Sequence, residues 1–119
     1  MKLARLSVFL ALPLLFGCSQ FERTAFNTLS SSQAVIAQAR KDYISGTIKN
    51  TTCTDALITD ATSAHDAAVT ALEVYAAEQA AGSNLSAQEV AVTADVASVV
   101  AIVAEVKAVY SNPTGCKLP

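Results

Sequence analysis

The sequence predicts an all-α protein, an up-down-up bundle of three helices stapled by one disulfide. Apolar residues recur three and four positions apart in three successive segments, a spacing that places them on one face of a helix. Short polar linkers separate the segments, so neighbouring helices are expected to run antiparallel. Two cysteines, Cys53 and Cys116, flank the second and third segments and supply the predicted cross-link.

The first helix is predicted over residues 21–44. Its inward face consists of residues at helical spacing, namely Phe21, Ala25, Leu29, Ser32, Ile36, Ala39 and Tyr43. Gly46 is expected to end the helix, because glycine is a poor helix former. A polar linker, TIKNTT, follows it.

The second helix is predicted over residues 54–81. Thr52 and Asp55 have the spacing of a capping box at its start, and Gly82 suits the position just past its end. Its inward face consists of Leu57, Ile58, Ala61, His65, Ala68, Val69, Leu72, Tyr75 and Ala76. A row of threonine and acidic residues on another side is interpreted as a solvated helix face rather than as a metal site.

The third helix, over residues 86–111, has the clearest start signal in the chain. The segment from Ser86 to Glu89 has the pattern of a capping box. Leu85 and Val90 stand where a hydrophobic staple would pack.

Valine dominates the third segment, although it favours strands over helices. Its apolar stripe consists of Val92, Val96, Val99, Val103, Val106 and Tyr110. The stretch VVAIVAEV does not alternate apolar and polar residues as a half-buried strand would, so the period of the stripe favours a helix. Asn112-Pro113 is expected to end it.

The predicted topology also predicts which cysteines pair. The second helix begins at the end of the bundle where the third helix finishes, so Cys53 and Cys116 are expected to meet there. A structural metal site is the alternative, but the chain has neither a CxxC spacing nor a histidine pair. One disulfide is therefore predicted, and no metal or cofactor.

The N-terminal region has the pattern of an export signal. Lys2 and Arg5 precede an apolar run over residues 6–16. The run is much shorter than the roughly 20 residues that a membrane-spanning helix needs. Its length matches the apolar region of a secretory signal, about 7–15 residues.

The run ends in Leu15-Phe16-Gly17-Cys18, which resembles the lipobox of bacterial lipoproteins. The resemblance implies that lipid is attached to the Cys18 sulfur and that residues 1–17 are removed, leaving a mature domain of residues 18–119. Ser19 rather than aspartate follows the cysteine, which implies the periplasmic face of the outer membrane. An ordinary signal peptide with a free thiol and an N-terminal helix are the alternatives.

Composition argues against several classes of function. The chain carries a net charge of −2 with no basic cluster, so nucleic acid is not an expected partner. It contains one histidine, no tryptophan, no phosphate-binding glycine loop and, once the disulfide forms, no free nucleophilic cysteine in the mature domain. Enzyme activity is therefore not expected.

His65 lies near the middle of the inward stripe of the second helix. It is expected to be a buried neutral side chain, hydrogen-bonded to Ser32 or Gln33 on the first helix. The alternative is a core group that responds to pH.

The apolar face of the third helix is wider than a single stripe. Val100 flanks the stripe on one side, and Ile102 and Val109 flank it on the other. These three residues are predicted to contribute to a surface for self-association or for a partner. The alternative is that they form the rim of the core.

Together these features predict a non-catalytic, membrane-anchored lipoprotein, a small structural or protein-interaction module of the bacterial envelope. The expected partner is another envelope protein or a second copy. A phage or prophage lipoprotein of the superinfection-exclusion or inhibitor type is the alternative. A carrier of a small apolar ligand is less favoured, because alanine-rich helices pack closely.

Overall fold

The computed structural model describes residues 20–112 and Cys116, and it confirms the all-α bundle. Three helices, α1 (Gln20–Ser45), α2 (Thr52–Ala80) and α3 (Ser86–Ser111), pack up-down-up in a body 49 Å long. Their bounds differ from the predicted ones by at most two residues. The predicted signal peptide and Cys18 lie outside the described residues.

All three helices contribute to the core, which consists mainly of alanine, valine, leucine and isoleucine side chains. The largest fully buried side chains are Leu57, Ile58, Val92, Val99, Val106, Val109 and Thr54. The contact between α2 and α3 is the most extensive, and α1 packs against both. Burial of each large apolar side chain contributes about 1.5–3 kcal/mol, so the leucine, isoleucine and tyrosine side chains of α2 and the valine stripe of α3 both contribute substantially to stability.

The segment that follows α1 packs back against the bundle. Gly46 adopts a φ of +81°, which favours glycine. The Ile48 N–H then donates to the Asp42 carbonyl at 3.2 Å, and the Ile48 side chain is buried in the core. Ile48 was missed as a core residue because it stands alone in a polar linker, where no periodicity marks it.

The N-terminal cap of α2 is Thr51 and not the predicted Thr52. The Thr51 hydroxyl accepts a hydrogen bond from the Thr54 N–H at 3.0 Å, and the Thr54 side chain is buried beside it. The capping box was therefore placed one residue too late, since Thr52 already lies within the helix.

Substitution of this cap gives a first testable prediction. Thr51→Ala is expected to lower the free energy of unfolding by about 1 kcal/mol, because it removes the acceptor for the Thr54 N–H. Thr52→Ala, at an exposed site next to it, is the control and is expected to cost less than about 0.5 kcal/mol. Urea denaturation compares the two, and equal losses would contradict the assignment of the cap to Thr51.

The end of α2 confirms the predicted role of Gly82. This residue has a φ of +76° and its N–H donates to the Gln79 carbonyl at 3.1 Å. The Ser83 N–H donates to the Glu78 carbonyl at 3.0 Å. The pair of bonds is a Schellman motif, which reverses the chain into α3.

The predicted capping box at the start of α3 is wrong. Leu85 occupies the cap position without a side-chain hydrogen bond, and the Asn84 side chain accepts from the Ser86 N–H at 2.9 Å. The N–H that a Ser86 cap would bind, that of Glu89, instead donates to the Leu85 carbonyl at 2.8 Å, so the cap position falls on Leu85 rather than on Ser86. Val90 is 69% exposed, so the predicted staple is not formed either.

Ile102 and Val109 belong to the core, and their predicted role in an exposed surface is wrong. Their exposed fractions are 5% and 2%. The physical reason is that α3 contacts two helices at once, so its buried arc is wider than one stripe. Val100, on the opposite flank, is 49% exposed and remains on the surface.

The predicted disulfide is confirmed. Cys53, in the first turn of α2, is bonded to Cys116, with an S–S distance of 2.07 Å and a Cα–Cα distance of 6.1 Å. The cross-link closes a loop over a sequence separation of 63 and ties α2 to the segment that follows α3. It includes no residue of α1.

Candidate functional site

The side of α3 opposite the core presents an uncharged surface along almost the whole helix. It consists of Ala87, Val90, Ala94, Ala97, Ala101, Ala104 and Ala108, all of them exposed. We refer to these seven residues as the outer face of α3. They alternate at spacings of three and four, which is the heptad pattern of two helices packed side by side.

The surroundings of this face carry few charges. Val100 flanks it on one side with Lys107, and Glu105 flanks it on the other. The outward sides of the other two helices are different, since Arg23 and Lys41 are exposed on α1 and Asp66 is exposed on α2. The outer face of α3 is about 32 Å long at 1.5 Å per residue.

Sequence reasoning missed this surface although its signal was present. The third helix has two apolar patterns, a valine stripe and an alanine series, and the valine stripe alone is sufficient for a core. Alanine occurs both in cores and on surfaces, so a series of alanines does not by itself indicate which face of a helix is buried. The exposed fraction of each alanine, which depends on where α1 and α2 pack, identifies the second pattern.

A second feature lies between α1 and α2, where Arg40 is held by three neighbours. Its Nη1 atom lies 2.8 Å from the Asp55 Oδ1 atom, and its Nη2 atom donates to the Thr59 hydroxyl at 3.2 Å. The guanidinium carbon lies 5.5 Å from the centre of the Tyr43 ring. The contacts with Asp55 and Thr59 connect α1 to the first two turns of α2.

Arg40 borders an open groove between α1 and α2 with a volume of about 410 Å³. The groove is lined by Gln33, Ile36, Ala37 and Arg40 from α1 and by Thr59, Thr62 and Ser63 from α2. Five of these seven residues have polar groups, but apolar atoms form the larger part of the exposed lining, and Ile36 is buried at the base.

His65 is largely enclosed, but its predicted hydrogen-bond partners are wrong. Its Nε2 atom lies 3.1 Å from the Leu29 carbonyl oxygen. Because a carbonyl can only accept, Nε2 carries the hydrogen in this contact. Ser32 is buried as predicted, but its hydroxyl donates within its own helix to the Thr28 carbonyl, and Gln33 is exposed.

The other ring nitrogen of His65 faces the edge of α2. Its Nδ1 atom lies 3.9 Å from the Asp66 carboxylate, and the histidine side chain is 12% exposed. The ring therefore lies between a backbone carbonyl of α1, to which it is hydrogen-bonded, and an exposed carboxylate of its own helix. This arrangement connects the middle of the two helices.

Tyr110, predicted to end the buried stripe of α3, lies 43% exposed at the disulfide end of the bundle. Its hydroxyl donates to the Asp42 carboxylate on α1. Desolvation, followed by the hydrogen bond and the charge of Asp42, raises the pKa of Tyr110 to about 12. The stability contributed by this contact is therefore present below the ordinary tyrosine pKa of about 10 and is lost as pH rises through the folded value.

Within residues 20–112 and Cys116, no three or more histidine, cysteine or acidic side chains are grouped so that they could hold a metal ion. None of the three helices in this part of the chain has the length and apolar composition to cross a membrane. Comparison of the chain with protein families, curated proteins and solved structures finds no match.

Proposed function

We propose that the protein is a non-catalytic lipoprotein of the bacterial envelope that acts as an interaction module and self-associates through the outer face of α3. The observation that carries the proposal is the exposure of this uncharged heptad face along the helix. A helix face normally carries charged residues when it faces only water.

The chemistry of the face suits a second helix. An alanine side chain is a single methyl group, so two such helices can approach to an interaxial distance of about 8 Å. Each apolar Å² removed from water contributes about 25 cal/mol, and none of the seven residues has a charge to desolvate. Because methyl groups bury little area, we expect association to be weak in dilute solution.

Anchoring in a membrane would strengthen such a weak contact. The lipobox-like sequence ends at Cys18, and α1 begins two residues later at Gln20. A two-residue link spans at most about 7 Å, so lipid on Cys18 would hold this end of the bundle near the membrane surface. Confinement of two copies in one leaflet raises their effective concentration.

The anchor also sets the direction of the pair. The N-terminal end of α1 is the end at which the Phe21 ring meets the Tyr75 ring, with centroids 5.1 Å apart. Copies tethered through this end stand the same way up in the membrane. We therefore propose a parallel α3–α3 pair in which each residue of the outer face meets its own counterpart.

Disulfide cross-linking in native membranes tests the proposal. Ala94→Cys and Ala108→Cys, two heptads apart on the outer face, are each expected to form covalent dimers, because a parallel pair brings like residues together. Ala67→Cys, exposed on α2, is the matched control and is expected to remain monomeric. Dimers at neither site of α3 would contradict self-association, and dimers at only one would contradict the parallel direction.

Fractionation of the same cells tests the anchor separately. The unsubstituted chain is expected in the membrane fraction with lipid on Cys18, and Cys18→Ser is expected to be unprocessed or soluble. Intact mass spectrometry measures the lipid. An unsubstituted chain that is soluble and carries no lipid would contradict the lipoprotein assignment, whatever the cross-linking result.

A further inference from the structure

We propose that the groove between α1 and α2 is a binding site for a neutral polyhydroxylated ligand, a saccharide of one or two rings. This site is separate from the outer face of α3, and the proposal does not depend on self-association. It is carried by the contacts that restrict Arg40, by the hydrogen-bonding groups of the lining and by the balance of charge.

The Arg40 side chain is held in place before any ligand arrives. Asp55 and Thr59 of α2 bind its guanidinium group, and the Tyr43 ring lies one turn away on α1. A guanidinium has five N–H donors, and the contacts to Asp55 and Thr59 use two of them. The remaining donors belong to a side chain whose conformational freedom is already restricted by these contacts, which lowers the cost of binding.

The rest of the lining both donates and accepts hydrogen bonds. Gln33 contributes an amide, and Thr59, Thr62 and Ser63 contribute hydroxyls. The Thr62 hydroxyl donates to the Ile58 carbonyl at 2.9 Å, so its oxygen still has acceptor capacity. A sugar hydroxyl is also both donor and acceptor, and therefore matches such a lining better than a group that only accepts.

The base of the groove suits the carbon skeleton of a sugar. The exposed methyl of Ala37, above the buried Ile36, supplies an apolar surface beside the polar groups, where the C–H face of a ring can pack. The volume of about 410 Å³ lies within the range of about 300–1,000 Å³ that is usual for small-molecule sites. Since the groove is open and has no aromatic platform, we expect millimolar affinity.

The charges favour a neutral ligand over an anion. Arg40 is the only charged residue among those that line the groove, and its charge is balanced by Asp55 at 2.8 Å. A carboxylate or phosphate would have to compete with Asp55 for the guanidinium. A neutral sugar uses the free N–H donors and leaves the ion pair intact.

NMR titration of the full chain in detergent, with chitobiose as the probe, tests the site. We expect saturable shifts of the backbone amides of Thr59, Thr62 and Ser63. Ala37→Leu fills the groove from an exposed position and is expected to weaken binding by about tenfold, or 1.4 kcal/mol. Ala34→Leu, exposed one turn away and outside the lining, is the control and is expected to bind as the unsubstituted chain does.

Several outcomes would overturn the proposal. One is the absence of saturable shifts up to the solubility of the sugar, and another is unchanged binding by Ala37→Leu. If Ala37→Leu unfolds by circular dichroism, Ser63→Leu fills the same groove from α2 and takes its place. Glucose and glucuronate provide a matched neutral and charged pair of further probes, since tighter binding of glucuronate than of glucose would show an anion site and exclude the neutral class.

Discussion

Replacing Cys53 and Cys116 together by alanine is expected to lower the free energy of unfolding by about 4 kcal/mol. The disulfide closes a loop over a sequence separation of 63, and in the chain-entropy description its removal releases a large set of unfolded conformations. Domains of this size are stable by only about 5–15 kcal/mol in total. The midpoint of urea denaturation measures the loss.

Helix content is the control for this experiment. The far-ultraviolet circular dichroism of the double variant at room temperature is expected to match that of the unsubstituted chain, since the core side chains are unchanged. A thiol assay on the native protein provides a separate check. Two reactive thiols at Cys53 and Cys116 would contradict the cross-link, and an unchanged urea midpoint would contradict its contribution to stability.

Ile102→Lys is expected to destabilise the bundle by about 3–5 kcal/mol or to unfold it. Ile102 is 5% exposed, so the substitution removes buried apolar contacts and places an unpaired charge in their position. Thermal unfolding followed by circular dichroism measures this effect. A variant that retained its melting temperature would contradict the assignment of Ile102 to the core.

Val90→Lys on the same helix is the matched control, because its site is 69% exposed. Its melting temperature is expected to stay close to that of the unsubstituted chain. In the Ala94→Cys background, however, the added lysine is expected to abolish cross-linked dimers by placing like charges across the proposed α3–α3 contact. The two lysine substitutions therefore distinguish the buried side of α3, which is tested by the melting temperature, from its outer face, which is tested by cross-linking.

The helices and the cross-link were predictable because local signals and global topology agree. Gly82 ends α2 in the predicted manner, and the stripe of α3 has the period of a helix. The pairing of Cys53 with Cys116 was predicted from the cysteine pattern and from the order of the helices, since antiparallel neighbours bring the start of one beside the end of the next.

The details that were wrong depend on competition between neighbouring polar groups. Thr51 and Thr52 each carry a hydroxyl that could cap α2, but only Thr51 accepts from the Thr54 N–H. Near the start of α3, the side-chain oxygen of Asn84 accepts from the Ser86 N–H. Sequence spacing alone does not decide between adjacent residues. The backbone conformation decides which one reaches the free N–H groups.

Which residues of the helices are exposed could not be predicted without knowing how the helices pack. Ile102 and Val100 differ little as residue types, yet one faces the interior and the other faces water. His65 was expected to contact a polar side chain, but a backbone carbonyl at Leu29 is its partner. Backbone acceptors are present at every residue and leave no mark in the sequence.

The position of the disulfide gives the bundle unequal mechanical strength. The cross-link encloses α2 and α3 and leaves α1 outside it, while the proposed tether pulls on α1. Under tension between the membrane and a partner held by α3, α1 would detach first and the other two helices would remain connected as a covalent hairpin. Such a molecule would extend by the length of α1 and its linker before α2 and α3 began to separate.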